Sequence, residues 1–272
     1  MGGLIQHKRE AYWFYRFLSL GYDRWVNPLF WTPAMRAQAL DAAALADRGL
    51  VTLDAGAGTG FTTEGIVERV DAANVTMLDQ SPHQLARARA KPALAACRKL
   101  LGDAERLPFA DDAFDRYVSA GSIEYWPDPQ RGIAEAYRVL KPGGAATVIG
   151  PVEPANRVLR RLAATWMLFP TREQYATWFR RAGFADVEVR VLAPDWYRGR
   201  SAYAVAVTGS KRDAGPPPLA LGPPERREAP MTSGERLRFA WRFVAGSAAG
   251  AAFVPLGAAL ALRHRIASRR ER

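Results

Sequence analysis

A glycine-rich turn follows directly on a short apolar run, and this pairing limits what the chain can fold into. The run is LVTLD, from Leu50 to Asp54, and the turn continues as AGAGTGF to Phe61. Glycine adopts left-handed backbone conformations and lets other groups approach the main chain closely. A strand, a glycine turn and a helix in this order are typical of a doubly wound α/β domain.

Further apolar runs alternate with helical stretches up to residue 208. The predicted strands are Leu50–Leu53, Val75–Leu78, Arg98–Leu101, Arg116–Ser119, Ala145–Ile149, Val187–Leu192 and Tyr203–Thr208. Helices are predicted between them, for example over 81–90 and 132–139. This alternation predicts a mainly parallel sheet that is covered by helices on both faces.

The segments on either side of this domain differ from it in composition. Residues 1–44 are aromatic and basic and predict an N-terminal helical cap. The domain itself is expected over 45–208. Residues 209–234 are rich in proline, glycine and charge, which is typical of a linker.

The C-terminal segment, 235–272, contains 20 uncharged residues from Phe243 to Leu262. This length is sufficient to span a bilayer, and arginines flank it on both sides. The sequence therefore predicts a membrane-anchor helix, with a soluble alanine-rich helix packed on the domain as the alternative. The spacing of Gly246 and Gly250 would also allow two such helices to pair in a homodimer.

Composition narrows the classes of function. The net charge of +11 indicates nucleic acid, anionic lipid or a solvated basic face. The single cysteine, Cys97, excludes a disulfide framework and a cysteine metal cluster, and no metal site is expected. The start MGGLIQHKRE lacks the apolar stretch of a signal peptide.

The spacing of the glycines favours S-adenosylmethionine (SAM) over a dinucleotide. Asp54, Gly56, Gly58 and Gly60 form D-x-G-x-G-x-G, and Phe61 stands where a dinucleotide site has its third glycine. Asp54 can orient the turn and face the cationic methionine end of SAM. A generic strand-to-helix turn is the alternative.

Two more acids follow the next two predicted strands. Asp79 can accept hydrogen bonds from the ribose hydroxyls, and Asp103 can accept from the adenine amine. Either acid alone could be a surface cap, and the sequence Ser81-Pro82 after Asp79 also predicts a helix N-terminus. Acids at three successive strand ends make a cofactor site the sharper interpretation.

These residues, with FDRYVSAGSIEYWPD and EAYRVLKPGG, resemble class I SAM-dependent methyltransferases over about residues 45–208. The resemblance implies a Rossmann-like seven-stranded sheet whose last strand is antiparallel. It also implies that SAM is bound by Asp54, Gly56, Gly58, Gly60, Asp79, Gln80, Asp103, Ala104 and Ser119. The N-P-P-Y motif of nucleic-acid and amide methyltransferases is missing after the fourth strand, which weighs against DNA binding.

Longer stretches, such as QHKREAYWFYRFLSLGYD, NVTMLDQSPHQLA and PDWYRG, are similar to the plant methyltransferases of 2-methyl-6-phytyl-1,4-hydroquinone and its solanyl analogue. This resemblance implies methylation of a ring carbon in a prenylated hydroquinone for tocopherol and plastoquinone synthesis. It also implies a membrane location, in the plastid envelope for a plant or alga and otherwise in a bacterial cytoplasmic membrane. The alternatives are a methyltransferase of another lipid (a ubiquinone or menaquinone precursor, a sterol or a phospholipid) and a SAM-binding membrane protein without catalysis.

Two residues are candidates for the base that removes the phenolic proton. His7 lies in the N-terminal segment, which could cover the site, and Glu124 follows the fourth strand. The alternative for His7 is a polar residue near the terminus, and the alternative for Glu124 is a cap or a partner of an arginine. Four aromatic residues are expected either to line a substrate pocket or to pack in the core: Tyr125, Trp126, Trp196 and Tyr197.

Overall fold

The computed structural model of the chain describes residues 31–197, 202–220, 222 and 232–270. A seven-stranded sheet lies at the centre, in the order β3-β2-β1-β4-β5-β7-β6. The strands are β1 Thr52–Ala55, β2 Val75–Asp79, β3 Arg98–Leu101, β4 Phe114–Ala120, β5 Leu140–Pro151, β6 Ala185–Leu192 and β7 Ala204–Ser210.

The direction of the strands confirms the predicted topology. Strands β1 to β5 pair in parallel, and β7 runs antiparallel to both β5 and β6. The parallel strands therefore all end at the same edge, which we call the carboxyl edge. In a doubly wound sheet, ligands bind outside this edge.

Seven α-helices accompany the sheet within the described ranges. They are α1 Pro33–Asp41, α2 Phe61–Val67, α3 Pro82–Arg89, α4 Pro129–Val139, α5 Arg157–Trp166, α6 Arg172–Ala182 and α7 Ser233–Arg270. Residues of α1, α2 and α3 form the apolar core on one face of the sheet, and those of α4 and α6 form the core on the other. The predicted layered architecture is confirmed.

Local sequence sets where α3 begins. The side chain of Ser81 accepts a hydrogen bond from the main-chain N–H of Gln84, and Pro82 occupies the first helical turn. A serine cap followed by proline is a common start of a helix, since proline has no N–H to leave unpaired there. The structure confirms this predicted N-terminus directly after Asp79.

The start of the predicted linker, 209–234, is packed more tightly than its composition indicates. Lys211 is fully buried at the amino edge of the parallel strands. Its Nζ donates to Asp112 Oδ1 at 2.7 Å and to the carbonyl oxygen of Gly215 at 2.9 Å. The same ammonium lies 4.8 Å from the centre of the Tyr137 ring. A buried cation needs such partners, so this residue belongs to the folded domain.

The C-terminal helix differs from the prediction. Helix α7 contains Pro255 and packs against α5. None of the helices in the described residues is long and apolar enough to cross a membrane. The predicted spanning helix at Phe243–Leu262 is therefore corrected: much of this segment is alanine and glycine, which contribute little hydropathy. Gly246, one half of the predicted helix-pairing motif, is buried within the chain.

Candidate functional site

The glycine turn after β1 has a left-handed backbone at three glycines and is hydrogen-bonded to β2. Gly56, Gly58 and Gly60 all have positive φ angles, of 73°, 56° and 85°. A Cβ atom at Gly60 would lie 2.3 Å from Leu94 Cδ1, whereas a Cβ atom at Gly58 would meet nothing within 4 Å. Gly60 therefore serves packing, and Gly58 leaves open space above the turn for a ligand.

Asp54 lies beneath this turn. Its side chain is 1% exposed, and its Oδ2 accepts a 2.6 Å hydrogen bond from the Thr63 hydroxyl on α2. Its Oδ1 is buried and has no hydrogen-bond partner. Burial raises the pKa of Asp54 to about 7, which the bond from Thr63 partly opposes. This carboxylate fixes the start of α2 and keeps one acceptor oxygen for a cationic or donor group.

Asp79, at the end of β2, holds the turn from the side. Its Oδ2 accepts from the N–H of Gly58 at 2.9 Å, and its Oδ1 accepts from the N–H of Ser81 at 2.8 Å. Burial raises the pKa of Asp79 to about 6, against these two bonds. Each oxygen has a second lone pair available, so the carboxylate can also accept from a pair of hydroxyl groups.

A cleft of about 400 Å³, which includes the solvent at its mouth, opens at the carboxyl edge beside these residues. Five of the predicted cofactor residues line it: Gly56, Asp79, Gln80, Asp103 and Ala104. The other predicted residues, Asp54, Gly58, Gly60 and Ser119, are not among its lining. An adenosine with a methionine chain fits this arrangement, because acids lie at the ends of β2 and β3 and the glycine turn lies at the end of β1.

The segment that follows β4 also borders the cleft. Ser119 and Ser122 are joined by a 2.8 Å hydrogen bond between their hydroxyl oxygens. A Cβ atom at Gly56 would lie 2.5 Å from both Cβ and Oγ of Ser122, so the wall touches the glycine turn. Sequence reasoning chose Ser119 and missed Ser122. Gly121 has a positive φ angle of 63°, and this left-handed turn of the folded chain precedes Ser122.

Sequence reasoning also missed the role of Glu105. This side chain is 2% exposed, and its Oε1 accepts from the N–H of Asp128 at 2.5 Å. The bond joins the loop after β3 to the loop after β4, and Tyr125 and Trp126 of the second loop line the cleft. A Cβ atom at Gly132 would lie 2.4 Å from the Trp126 ring, so this glycine provides the space for the ring.

Along the chain, Glu124 lies between Ser122 and Tyr125, in the short 3₁₀ helix Ile123–Tyr125. The residue is 6% exposed, and its Oε2 has no hydrogen-bond partner. Burial raises the pKa of Glu124 to about 8. Burial, and to a lesser extent the charge of this carboxylate, raises the pKa of the Tyr175 phenol on α6 well above its ordinary value. An enclosed carboxyl group without a partner is typical of a site that moves protons.

Of the remaining residues predicted for the site, two belong to a different aromatic cluster and one lies outside the described residues. Trp196 and Tyr197 pack against Tyr203, with ring centroids 5.6 Å and 5.1 Å from it, and neither residue lines the cleft. They form a second aromatic cluster beside the start of β7. His7 and the N-terminal aromatic segment lie outside the described residues. In the ranges that the structure describes, no group of acidic, histidine or cysteine side chains could hold a metal ion.

Comparison with known proteins gives this geometry a context. Residues 53–148 match the family model described as "Methyltransferase domain". The chain is 54% identical over 255 residues to 2-methyl-6-phytyl-1,4-hydroquinone methyltransferase 1, chloroplastic, of Oryza sativa subsp. japonica, covering 92% of this chain and 76% of the relative. The chain belongs to this methyltransferase family. Its cofactor is SAM, as the sequence predicted.

Solved structures support the fold. A putative methyltransferase in complex with the Haloferax volcanii Trm112 activator has a TM-score of 0.62 and 24% identity, covering 75% of this chain and 96% of that one. A geranyl diphosphate C-methyltransferase from Streptomyces coelicolor, solved with S-adenosyl-L-homocysteine (SAH), has a TM-score of 0.55 and 19% identity, covering 65% and 77%. Both share the methyltransferase fold with this member of the hydroquinone methyltransferase family.

Proposed function

We propose that this enzyme transfers a methyl group from SAM to a ring carbon of prenylated hydroquinones, 2-methyl-6-phytyl-1,4-hydroquinone and its solanyl analogue. The observation that carries the proposal is the identity to a plant enzyme of this name along nearly the whole chain. The relative is named chloroplastic, which favours a plastid as the place of action, with a bacterial cytoplasmic membrane as the alternative.

Different residues of the cleft are proposed to bind different parts of SAM. Asp79 and Asp103 are proposed to hold the ribose and the adenine, and the turn at Gly56 to Gly60 to receive the methionine chain. SAM supplies an electrophilic methyl group when bound. The loop of Tyr125 and Trp126 covers the adenine side and limits the access of water, so that the protein mainly aligns the reacting atoms.

Glu124 is proposed to take the phenolic proton, because its buried Oε2 has no hydrogen-bond partner and its chain neighbours Ser122 and Tyr125 line the cleft. Loss of that proton makes the ring carbon a better nucleophile. General-base assistance of this kind contributes about 10²–10⁴-fold to the rate. His7 stays a prediction from the sequence for the same role.

The test of this function is a transfer assay with purified enzyme in detergent. It uses methyl-labelled SAM and 2-methyl-6-phytyl-1,4-hydroquinone, with demethylmenaquinol and a sterol as competing substrates. We expect label in a dimethyl phytyl hydroquinone, identified by mass and ring position. Transfer to a competitor only would overturn the substrate and leave the methyltransferase.

We further propose that the enzyme works at a membrane surface, where its prenylated substrate dissolves. Leu237, Trp241 and Val244 of α7 are 74%, 72% and 62% exposed, and their spacing places them on one side of the helix. Val158 of α5, the helix packed on α7, is 74% exposed. Exposed arginines lie near these residues along the two helices: Arg157, Arg161, Arg236 and Arg238. Apolar side chains edged by arginine favour an anionic bilayer.

Vesicle flotation tests this surface. Replacement of Leu237, Trp241 and Val244 by serine should release the protein from vesicles that contain anionic lipid. The matched control is Val191→Ser, because Val191 is 52% exposed on β6 but does not belong to α7 or α5. Unchanged flotation of the triple variant would contradict this surface and direct attention to the N-terminal segment.

A further inference from the structure

Glu105 is a buried acid of the cleft whose hydrogen bond joins two segments of its lining. The residue lines the cleft, and its side chain accepts from the N–H of Asp128 at 2.5 Å. Asp128 directly follows Tyr125, Trp126 and Pro127, which line the same cleft. The bond therefore ties the segment after β3 to the segment after β4 beside the site.

The main chain of Glu105 also orients Asp103. The N–H of Glu105 donates to Asp103 Oδ1 at 2.9 Å, and the N–H of Arg106 donates to the carbonyl oxygen of Asp103 at 3.0 Å. Glu105 thus contacts both the acid that is proposed to hold the adenine and the loop that is proposed to cover it.

The start of α4 shows that this bond replaces a local one. Asp128 caps α4, and its side chain accepts from the N–H of Arg131 at 3.1 Å. In a capping box, the side chain three residues after the cap accepts from the N–H of the cap. Helix α6 has this arrangement with Thr171 and Gln174. Arginine has no acceptor atom, so in α4 the acceptor is Glu105, 23 residues earlier in the chain.

The rest of the segment after β3 is fastened to α4 by other bonds. The N–H of Leu107 donates to Glu135 Oε2 at 2.7 Å. Arg138 donates to the carbonyl oxygens of Leu107 and Phe109 at 3.0 Å and 2.7 Å. Leu107, Glu135 and Arg138 are not among the lining of the cleft. Loss of the Glu105 bond should therefore loosen the segments at the cleft while the remainder stays attached.

We propose that Glu105 is a positioning residue for the cofactor: it holds the segment Tyr125–Pro127 in place at the adenine end of the cleft before SAM enters. A wall that is already ordered costs less conformational entropy on binding. The proposal rests on the proposed function, because it assumes that the adenine lies beside Asp103.

The size of the effect follows from the type of bond. A hydrogen bond to a charged group changes an equilibrium by about 10–100-fold. If SAH binds only while the segment is held in place, its apparent affinity falls with the fraction of protein in that state. Glu105→Ala should therefore raise the dissociation constant for SAH by up to about 10–100-fold. Glu105→Gln keeps an acceptor oxygen and should retain most of the affinity.

The experiment is calorimetric titration of the full chain with SAH, with urea unfolding of each variant. The deciding variant combines Glu105→Ala with Arg131→Gln, which offers the N–H of Asp128 a local acceptor, as Gln174 does for Thr171 in α6. We expect this double variant to regain stability over Glu105→Ala but not SAH affinity. Recovery of both would show that Glu105 only caps the helix, and wild-type SAH affinity in Glu105→Ala would equally overturn the proposal.

Hydrogen exchange of the wild type decides the matter even if the variants do not fold. The N–H groups of Asp128 and Leu107 both donate to a carboxylate, but only the first bond lies at the lining of the cleft. SAH should slow exchange more at Asp128 than at Leu107, and equal slowing would overturn the proposal. These measurements use no hydroquinone, so their failure is distinct from a failed methyl transfer, which would overturn the proposed substrate.

Discussion

Replacement of Asp79 by alanine should separate cofactor binding from stability. The carboxylate accepts hydrogen bonds from the N–H groups of Gly58 and Ser81 at 2.9 Å and 2.8 Å. The variant loses both bonds, but it also loses a buried carboxyl group whose pKa is raised to about 6. The shift from an ordinary aspartate is about two pKa units, or about 3 kcal/mol. The two effects oppose each other, so the free energy of unfolding should change by less than about 2 kcal/mol.

The effect on SAM should be much larger. If Asp79 accepts from both ribose hydroxyls, the variant loses two hydrogen bonds to a charged group, each worth about 1.5–3 kcal/mol. The dissociation constant for SAM should therefore rise by about 10²–10⁴-fold. Calorimetric titration with SAM gives this value, and urea unfolding gives the stability.

The control for this experiment is Asp71→Ala. Asp71 is paired with Arg48 at 2.8 Å on the surface, where an ion pair contributes little. Both its SAM affinity and its stability should stay close to wild type. An unchanged SAM dissociation constant in Asp79→Ala would refute the assignment of Asp79 to the ribose, whatever the control shows.

Two further perturbations test the glycine turn and the acid beneath it. Gly60→Ala should destabilise the protein by about 2–5 kcal/mol, because alanine there is strained by the left-handed backbone and overpacks on Leu94. Gly58→Ala should cost only the backbone strain, about 1–2 kcal/mol, and should weaken SAM binding instead. Equal losses of stability in urea unfolding of the two variants would contradict this packing. Asp54 has a raised folded pKa of about 7, so its contribution to stability is fully present below its ordinary pKa and is lost as pH rises through about 7. The ligand-free wild type should therefore lose about 2–3 kcal/mol between pH 5 and pH 8 through this group. Asp54→Asn should show a smaller loss, and parallel stability curves for the two proteins would show that the acid is not the cause.

The sheet could be predicted from the sequence because its strands are apolar runs bounded by turns. The strand Arg98–Leu101 was predicted with the bounds that the structure has. β5 was predicted from Ala145 but begins at Leu140. Gly143 and Gly144 exchange main-chain hydrogen bonds with Lys211, so the strand continues through the sequence KPGG. A local sequence pattern cannot predict a contact between positions so far apart in the chain.

The candidate site likewise contains residues that local sequence identifies and residues that depend on contacts between distant parts of the chain. Asp79 and Asp103 could be found because each follows a strand, and the ends of parallel strands meet at one edge. Ser122 and Glu105 could not, since their positions depend on the turn at Gly121 and on a hydrogen bond between two loops. The burial of Glu124, which gives it an unusual pKa, is likewise a property of the folded chain.

The buried ammonium of Lys211 has a consequence for where this enzyme can be cut. The last strand ends at Ser210, and a truncation there would leave the Asp112 carboxylate and the ring of Tyr137 without their cation. The smallest fragment that folds should therefore extend at least through Gly215, whose carbonyl oxygen completes the binding of the ammonium. The independently folding domain therefore continues past its last strand. The first residues of the segment whose composition is typical of a linker are part of that domain.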